Sequence, residues 1–179
     1  MSRAVLSIGS NLGDRLGHLR DVVAALGERA LAVSPVYTTA PWGGVEQDDY
    51  LNAVVVAEDP GFDDYAWLRF GQDLEQASGR VREIRWGART LDVDVVTCTD
   101  DTGAGIVRAG DPALILPHPQ AHHRAFVLVP WLDVEPSARL RVDGIDVPIA
   151  ELLAGLAPAE RAGVVRTDLV LRDESARPC

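Results

Sequence analysis

Leu91-Asp92-Val93-Asp94-Val95-Val96 alternates apolar and acidic side chains. Residues two apart on a β-strand face the same side. Leu91, Val93 and Val95 therefore point toward a core, and Asp92 and Asp94 stand together on the opposite face. Working outward, Leu51–Glu58 (LNAVVVAE) reads as a central strand, Ala4–Ile8 as a buried first strand and Leu31–Thr39 as another. Leu16, Leu19, Val22, Val23 and Leu26 recur at helical spacing between Asp14, a candidate N-cap, and Gly27. Trp67, Phe70, Leu74 and Ala77 form a second helical stripe, capped by Asp63 or Asp64. The order strand, helix, strand, strand, helix, strand predicts a ferredoxin-like α+β sandwich rather than a doubly wound parallel sheet.

Further along, Asp100–Gly110 is polar, glycine-containing and aperiodic, and is expected as an inserted, mobile loop. Pro117-His118-Pro119 is a rigid turn, and Phe126–Trp131 is apolar. Arg139–Val147 predicts a hairpin about Asp143-Gly144, and Ile149–Leu156 a short helix. From Arg172 a disordered tail is expected. The 179 residues suit one catalytic domain with its core in about residues 1–157. A formal charge of −10 argues against a nucleic-acid partner, since duplex binders carry a basic face. All 17 basic residues are arginine, which excludes a Walker-A lysine, a kinase strand lysine and a Schiff base. Cys98 and Cys179 are too few for a disulfide framework. No stretch reads as a signal peptide or a membrane span, so a cytoplasmic, membrane-free protein is expected; a monomer is expected as well.

Two carboxylates about 5 Å apart repel by about 3 kcal/mol at an effective dielectric of about 20. Cations relieve that repulsion, and hard oxygen ligands suit Mg²⁺. Arg80, Arg82, Arg85 and Arg89 lie just upstream and would clamp phosphates by charge-assisted bonds. Together they suggest a polyphosphate substrate. The plain alternative is a structural salt-bridge network between the aspartates and Arg85 and Arg89. Thr39, Trp42, Tyr50 and Asn52 form a separate group in which aromatics flank an amide, a set suited to a flat heterocycle. His118 and His122 have a spacing that serves zinc on a helix, but Pro117 and Pro119 argue against a helix there. A phosphate contact is the preferred reading of His118, and His18 reads as a surface residue.

The run Arg85-Trp-Gly-Ala-Arg-Thr-Leu-Asp-Val-Asp-Val-Val96 closely resembles the signature of the 6-hydroxymethyl-7,8-dihydropterin pyrophosphokinase family. Ile8-Gly-Ser-Asn-Leu12, Asp49-Tyr-Leu-Asn52, Gly79-Arg-Val-Arg82, Pro117-His118 and Arg124-x-Phe126 match in order, across roughly residues 4 to 157. The resemblance implies a three-layer sandwich, a mainly antiparallel sheet with helices on both faces. It implies transfer of the β,γ-diphosphoryl group of ATP to the pterin's hydroxymethyl oxygen, with ATP as co-substrate and two Mg²⁺ ions. Asp92 and Asp94 match the metal ligands, and with Arg80 and Arg89 form the expected catalytic set. Arg80, Arg82, Arg89, His118 and Arg124 match ATP-contacting positions, and Arg85 and Trp86 a loop that closes over the nucleotide. Thr39, Ala40, Trp42, Tyr50, Asn52, Trp86 and Phe126 match the pterin pocket, with Tyr50 and Phe126 sandwiching the ring and Asn52 reading its amide edge. The segments Ala40–Asp49 and Arg80–Arg89 would seal the site.

Pro119 stands where many relatives carry an aromatic, Ala40 replaces a commoner proline, and Trp42 a smaller apolar residue. Two competing readings keep the same fold. One is a magnesium-dependent phosphohydrolase using the aspartates with water as nucleophile. The other is a non-catalytic ligand sensor.

Overall fold

The computed structural model describes residues 1–41, 47–79 and 90–172. Strand β1 (Ser2–Ser10) runs between β4 (Tyr50–Asp59) and β5 (Asp92–Thr99), antiparallel to both. Along its other edge β4 pairs with β2 (Ala30–Val33) and β3 (Tyr37–Thr39), again antiparallel. A short β8 (Val165–Arg166), reached through α5 (Pro158–Ala162), adds to β3 and completes a six-stranded sheet. The strand predicted over Leu31–Thr39 is therefore two strands. Pro35 has no N–H for the ladder, and Ser34 bridges the break. Its N–H donates to Val54 O at 2.9 Å, and its Oγ accepts from Val54 N–H at 2.9 Å.

Alternation along the strands sorts the sheet into two apolar faces. Ala4, Leu6 and Ile8 of β1, Ala53 and Val55 of β4, and Val93 and Val95 of β5 pack under two helices. These are α1 (Arg15–Leu26), contributing Leu19, Val22 and Leu26, and α2 (Asp64–Ala77), contributing Trp67. Val5, Val54, Val56 and Val96 face the other way, onto Val127, Leu128 and Trp131 of α3 (Ala125–Val134). Leu140 of the β6 (Arg139–Val142)–β7 (Ile145–Pro148) hairpin and Ile149, which opens α4 (Ile149–Gly155), close that layer. The result is helices, sheet, helices, as expected. Among the described residues no helix is long and apolar enough to cross a membrane.

Local signals read from sequence account for the boundaries. Asp14 caps α1 by accepting from Gly17 N–H at 3.0 Å, and Gly27 ends it at φ +56°. Asp63 rather than Asp64 caps α2, accepting from Ala66 N–H at 2.7 Å. The Asp143-Gly144 turn has both residues at positive φ, 50° and 81°, as a tight hairpin of this hand requires. Arg172, at the start of the tail, donates to Ala30 O and Gly27 O; residues 173–179 lie outside the described ones.

Segment 100–110 carries more order than its composition suggests. Bridges pair Thr99 with Gly105 and Arg108 with Leu116. Arg108 forms an ion pair with buried Asp64 and lies 4.5 Å from the centre of the Tyr65 ring. The Arg108 hydrogen bond holds the Asp64 carboxyl below its ordinary pKa against the opposing effect of burial. Its stabilising contribution is complete above the unfolded carboxylate pKa, about 4, and is lost as pH falls through the lower folded value. Arg108→Ala is expected to lower the urea midpoint at neutral pH and to flatten its decline on acidification. An unchanged acid limb in the variant would remove this pair from the fold's energetics.

Candidate active site

The register of the sheet assembles the site. Gly9 on β1 lies opposite Asp92 on one side and Asn52 on the other, and Asn52 lies opposite Tyr37. One row across four strands thus reads Asp92, Gly9, Asn52, Tyr37. The neighbouring row places Ser7 between Asp94 and Val54. Val93 and Val95 are buried beneath α1 and α2, so Asp92 and Asp94 share the α3 face, as their spacing predicts. Val96 faces the same way by the same alternation, and the bulge where the β1–β5 register shifts between Val5 and Leu6 comes after it and returns Cys98 to the α1–α2 face.

Loops at one end of the sheet bring the remaining side chains. His118 N–H donates to Val96 O at 2.8 Å, which ties its backbone to the aspartate strand and leaves Nε2 3.9 Å from Asp94 Oδ2. Arg124, the residue before α3, places Nη1 3.4 Å from the same oxygen and its guanidinium carbon 5.6 Å from the Phe126 ring centre. Asn52 is buried, and its Nδ2 donates to Thr39 Oγ1 at 2.7 Å. These side chains line one cavity of about 520 Å³, with Ala40 and Tyr50 at the β3–β4 side. Trp42, Arg80, Arg82, Arg85, Trp86 and Arg89 lie outside the described residues.

Among the described lining residues, Asp92, Asp94 and Arg124 carry the charge and His118 stands beside them. Burial, aided by the Arg124 charge, pushes His118 down to about 4, so the imidazole is neutral at neutral pH. Its Nδ1 accepts from Gln120 N–H at 3.2 Å. The ring proton therefore sits on Nε2, facing Asp94, where it is a neutral donor for an anionic ligand. The Arg124–Asp94 contact is long, and both side chains are 33% exposed. Such a pair is weak and exchangeable. Behind the site, Tyr37 donates to Asp133 on α3, and burial with that hydrogen bond raises the phenol to about 12. On the far side of the sheet, buried Glu75 of α2 accepts from Val93 N–H at 2.9 Å and pins the strand between the aspartates.

The turn after β1 supports the approach to Tyr50. Asn11 Nδ2 donates to Gln47 Oε1 at 2.8 Å and Asp48 O at 3.3 Å, and Arg15 donates to Asp49 O at 2.7 Å. Pro41 and Gln47, of the segment expected to seal the site, also line the cavity, as do Ser7, Gly9, Gln120 and His123, for which the sequence suggests no role. For Ser7 and Gly9 the signal was available: they alternate with Leu6 and Ile8 and so share the face of the aspartates. The His118–His122 zinc reading gains nothing: the His122 ring lies against His123, tilted by 45° with centroids 3.8 Å apart. Among the described residues there is no cluster of three or more histidine, cysteine, aspartate or glutamate side chains suited to a metal. Two carboxylates fit Mg²⁺ better, since it keeps waters and takes phosphate oxygens alongside one or two protein oxygens.

A carboxylate pair, an arginine and a neutral imidazole beside a slot with an amide floor, on an antiparallel α+β sandwich, make a site suited to a phosphorylated small molecule next to a flat one. The model of the 7,8-dihydro-6-hydroxymethylpterin-pyrophosphokinase (HPPK) family matches residues 5–136. The chain belongs to that family. It is 53% identical over 167 residues to the 2-amino-4-hydroxy-6-hydroxymethyldihydropteridine pyrophosphokinase of Mycobacterium tuberculosis (strain ATCC 25618 / H37Rv), covering 92% of this chain and 89% of that one. The Mycobacterium leprae protein of the same name is 54% identical, over 99% of this chain and 97% of its own. A solved HPPK-DHPS structure in complex with substrates shares the fold at a TM-score of 0.59 and 12% identity. That match covers 86% of this chain, which spans 43% of the longer protein.

Proposed function

We infer that this chain transfers the β,γ-diphosphoryl group of ATP to the hydroxymethyl oxygen of 6-hydroxymethyl-7,8-dihydropterin, a step of folate biosynthesis. The observation that carries the reading is the single cavity joining Asp92 and Asp94 to the Thr39–Asn52 amide two strands away. A flat heterocycle on that amide, between Tyr50 and Phe126, would place its side chain toward β5, where the phosphates are held. The oxygen of the hydroxymethyl group attacks the β-phosphorus, the bond from that phosphorus to the α,β-bridging oxygen breaks, and AMP leaves. The hydroxyl proton is released to solvent. Positioning and charge neutralisation dominate such transfers, so a strong protein base is not required.

Asp92 and Asp94 would hold magnesium, which supplies charge neutralisation of the triphosphate when bound. His118 donates from Nε2 to a phosphate oxygen, and Arg124 exchanges its loose contact with Asp94 for the nucleotide. Arg80, Arg82, Arg85 and Arg89 complete the phosphate clamp, and Trp42 and Trp86 the walls of the pterin slot. Consumption of ATP fits a cytoplasmic enzyme, and we take it to be a monomer.

Product analysis tests this. AMP and pterin diphosphate should form in equal amounts, and only when hydroxymethyl pterin is supplied with ATP and magnesium. Phosphate release without pterin would establish a hydrolase instead. Asn52→Ala should weaken pterin binding by roughly 10–100-fold, as expected when a site built to bond a polar edge loses its partner. Nucleotide affinity should hold, and equal pterin affinity in the variant would take the amide out of recognition.

A further inference from the structure

We propose that Gly9 is a specificity-determining positioning residue, whose missing side chain is the slot in which the Asn52 carboxamide lies. This rests on the reading of Asn52 as the pterin-recognising amide. Glycine in mid-strand weakens a sheet and marks a point of close approach. The backbone does not require it here, because the φ of Gly9 is not in the left-handed region. Space does. A Cβ built on Gly9 would stand 2.7 Å from Asn52 Oδ1, closer than side chains pack, whereas Leu51 O is at an ordinary 3.6 Å.

The two residues are direct partners in the β1–β4 register, and Asn52 faces the cavity with Ser7 and the aspartates. Its Nδ2 is drawn to Thr39 Oγ1 on β3, while its Oδ1 rests over Gly9 on β1. A carboxamide held from both sides keeps one orientation and offers its remaining N–H and its oxygen to a ligand in a fixed pattern. Such a group discriminates well because it is buried and cannot swivel to accommodate a mismatched edge. A methyl at position 9 would meet only the end of the Asn52 side chain. The backbone can stay, and the carboxamide must tilt away from its bond to Thr39.

The test is a double-mutant cycle on the full-length protein: wild type, Gly9→Ala, Asn52→Ala and both together. Hydroxymethyl pterin affinity is measured by equilibrium titration with magnesium and a non-hydrolysable ATP analogue, and analogue affinity is measured alone. Gly9→Ala should weaken pterin binding about tenfold, the effect of one misplaced hydrogen-bonding group. Analogue affinity and the melting temperature should not fall. In the Asn52→Ala background, Gly9→Ala should change nothing further. An equal loss in that background would show that position 9 acts directly on the ligand, and overturn the proposal. So would lost analogue affinity, which points to Asp92, or a Gly9→Ala protein that does not fold or binds pterin normally. If Asn52→Ala alone leaves pterin affinity intact, the assignment of the pterin site fails, and the role of Gly9 falls with it.

Discussion

Asp94→Asn lowers diphosphoryl transfer by at least about a thousandfold, or about 4 kcal/mol of transition-state stabilisation, and leaves the fold intact. The side chain keeps its shape and loses its charge. Asp94 is one-third exposed and turned to the cavity, on the face opposite the apolar core beneath α1 and α2, with Oδ2 3.4 Å from Arg124 and 3.9 Å from His118. The neutral substitution also relieves repulsion from Asp92, so the unfolding midpoint should hold or rise. What disappears is half of the anionic pair that would hold magnesium against the phosphates. Arg124, released from Asp94, still attracts nucleotide, so ATP binding should fall far less than turnover. Single-turnover AMP formation, set beside urea unfolding, separates the two. Undiminished turnover in folded Asp94→Asn would remove the carboxylate pair from the chemistry.

Much of the architecture was legible because it depends on neighbours in sequence. The period-two pattern through Val93 and Val95 fixes which face carries the aspartates, and Asp14, Gly27 and Asp143-Gly144 fix ends and turns by local hydrogen bonding or φ. Less legible were features set by partners far along the chain. Asp64 and Glu75 break the apolar stripe of α2, yet both are buried. Arg108 and the backbone of β5 satisfy them, and neither partner can be read from the helix itself. The break at Ser34-Pro35 was missed because both flanking runs favour strand and both pair with β4.

The site divides the same way. Asp92, Asp94, Tyr50, Asn52 and His118 declare themselves by chemical type, and the family resemblance supplied Arg124 and Phe126. The cavity brings them together. Gly9 has no side chain to declare. Its position between Asp92 and Asn52 follows from strand order and register, which are properties of the assembled sheet.

Trp67→Ala reverses the pattern of Asp94→Asn, with stability falling and chemistry surviving. Trp67 is fully buried on the α1–α2 side of the sheet, opposite the cavity. Its ring meets Phe62 edge-on at 4.7 Å and Phe70 at 6.3 Å. Its Nε1–H donates to Ser2 Oγ at 2.8 Å, and Ser2 in turn donates to Phe62 O at 2.6 Å. Truncation removes the largest fully buried side chain among the described residues and opens a void that close-packed neighbours fill only in part, at a cost of about 3–5 kcal/mol. For a chain of this size that is a melting point lower by roughly 10 °C. Trp67→Phe keeps most of the aromatic contact but loses the indole hydrogen bond, and should fall between the two. Below the variant's transition, AMP formation per folded molecule should match wild type, because β1, β4 and β5 reach the cavity with their opposite side chains. Thermal melts paired with turnover measured well below the transition decide it: a variant that melts normally but turns over slowly would mean that the helix-packed face transmits strain through the sheet to the aspartates.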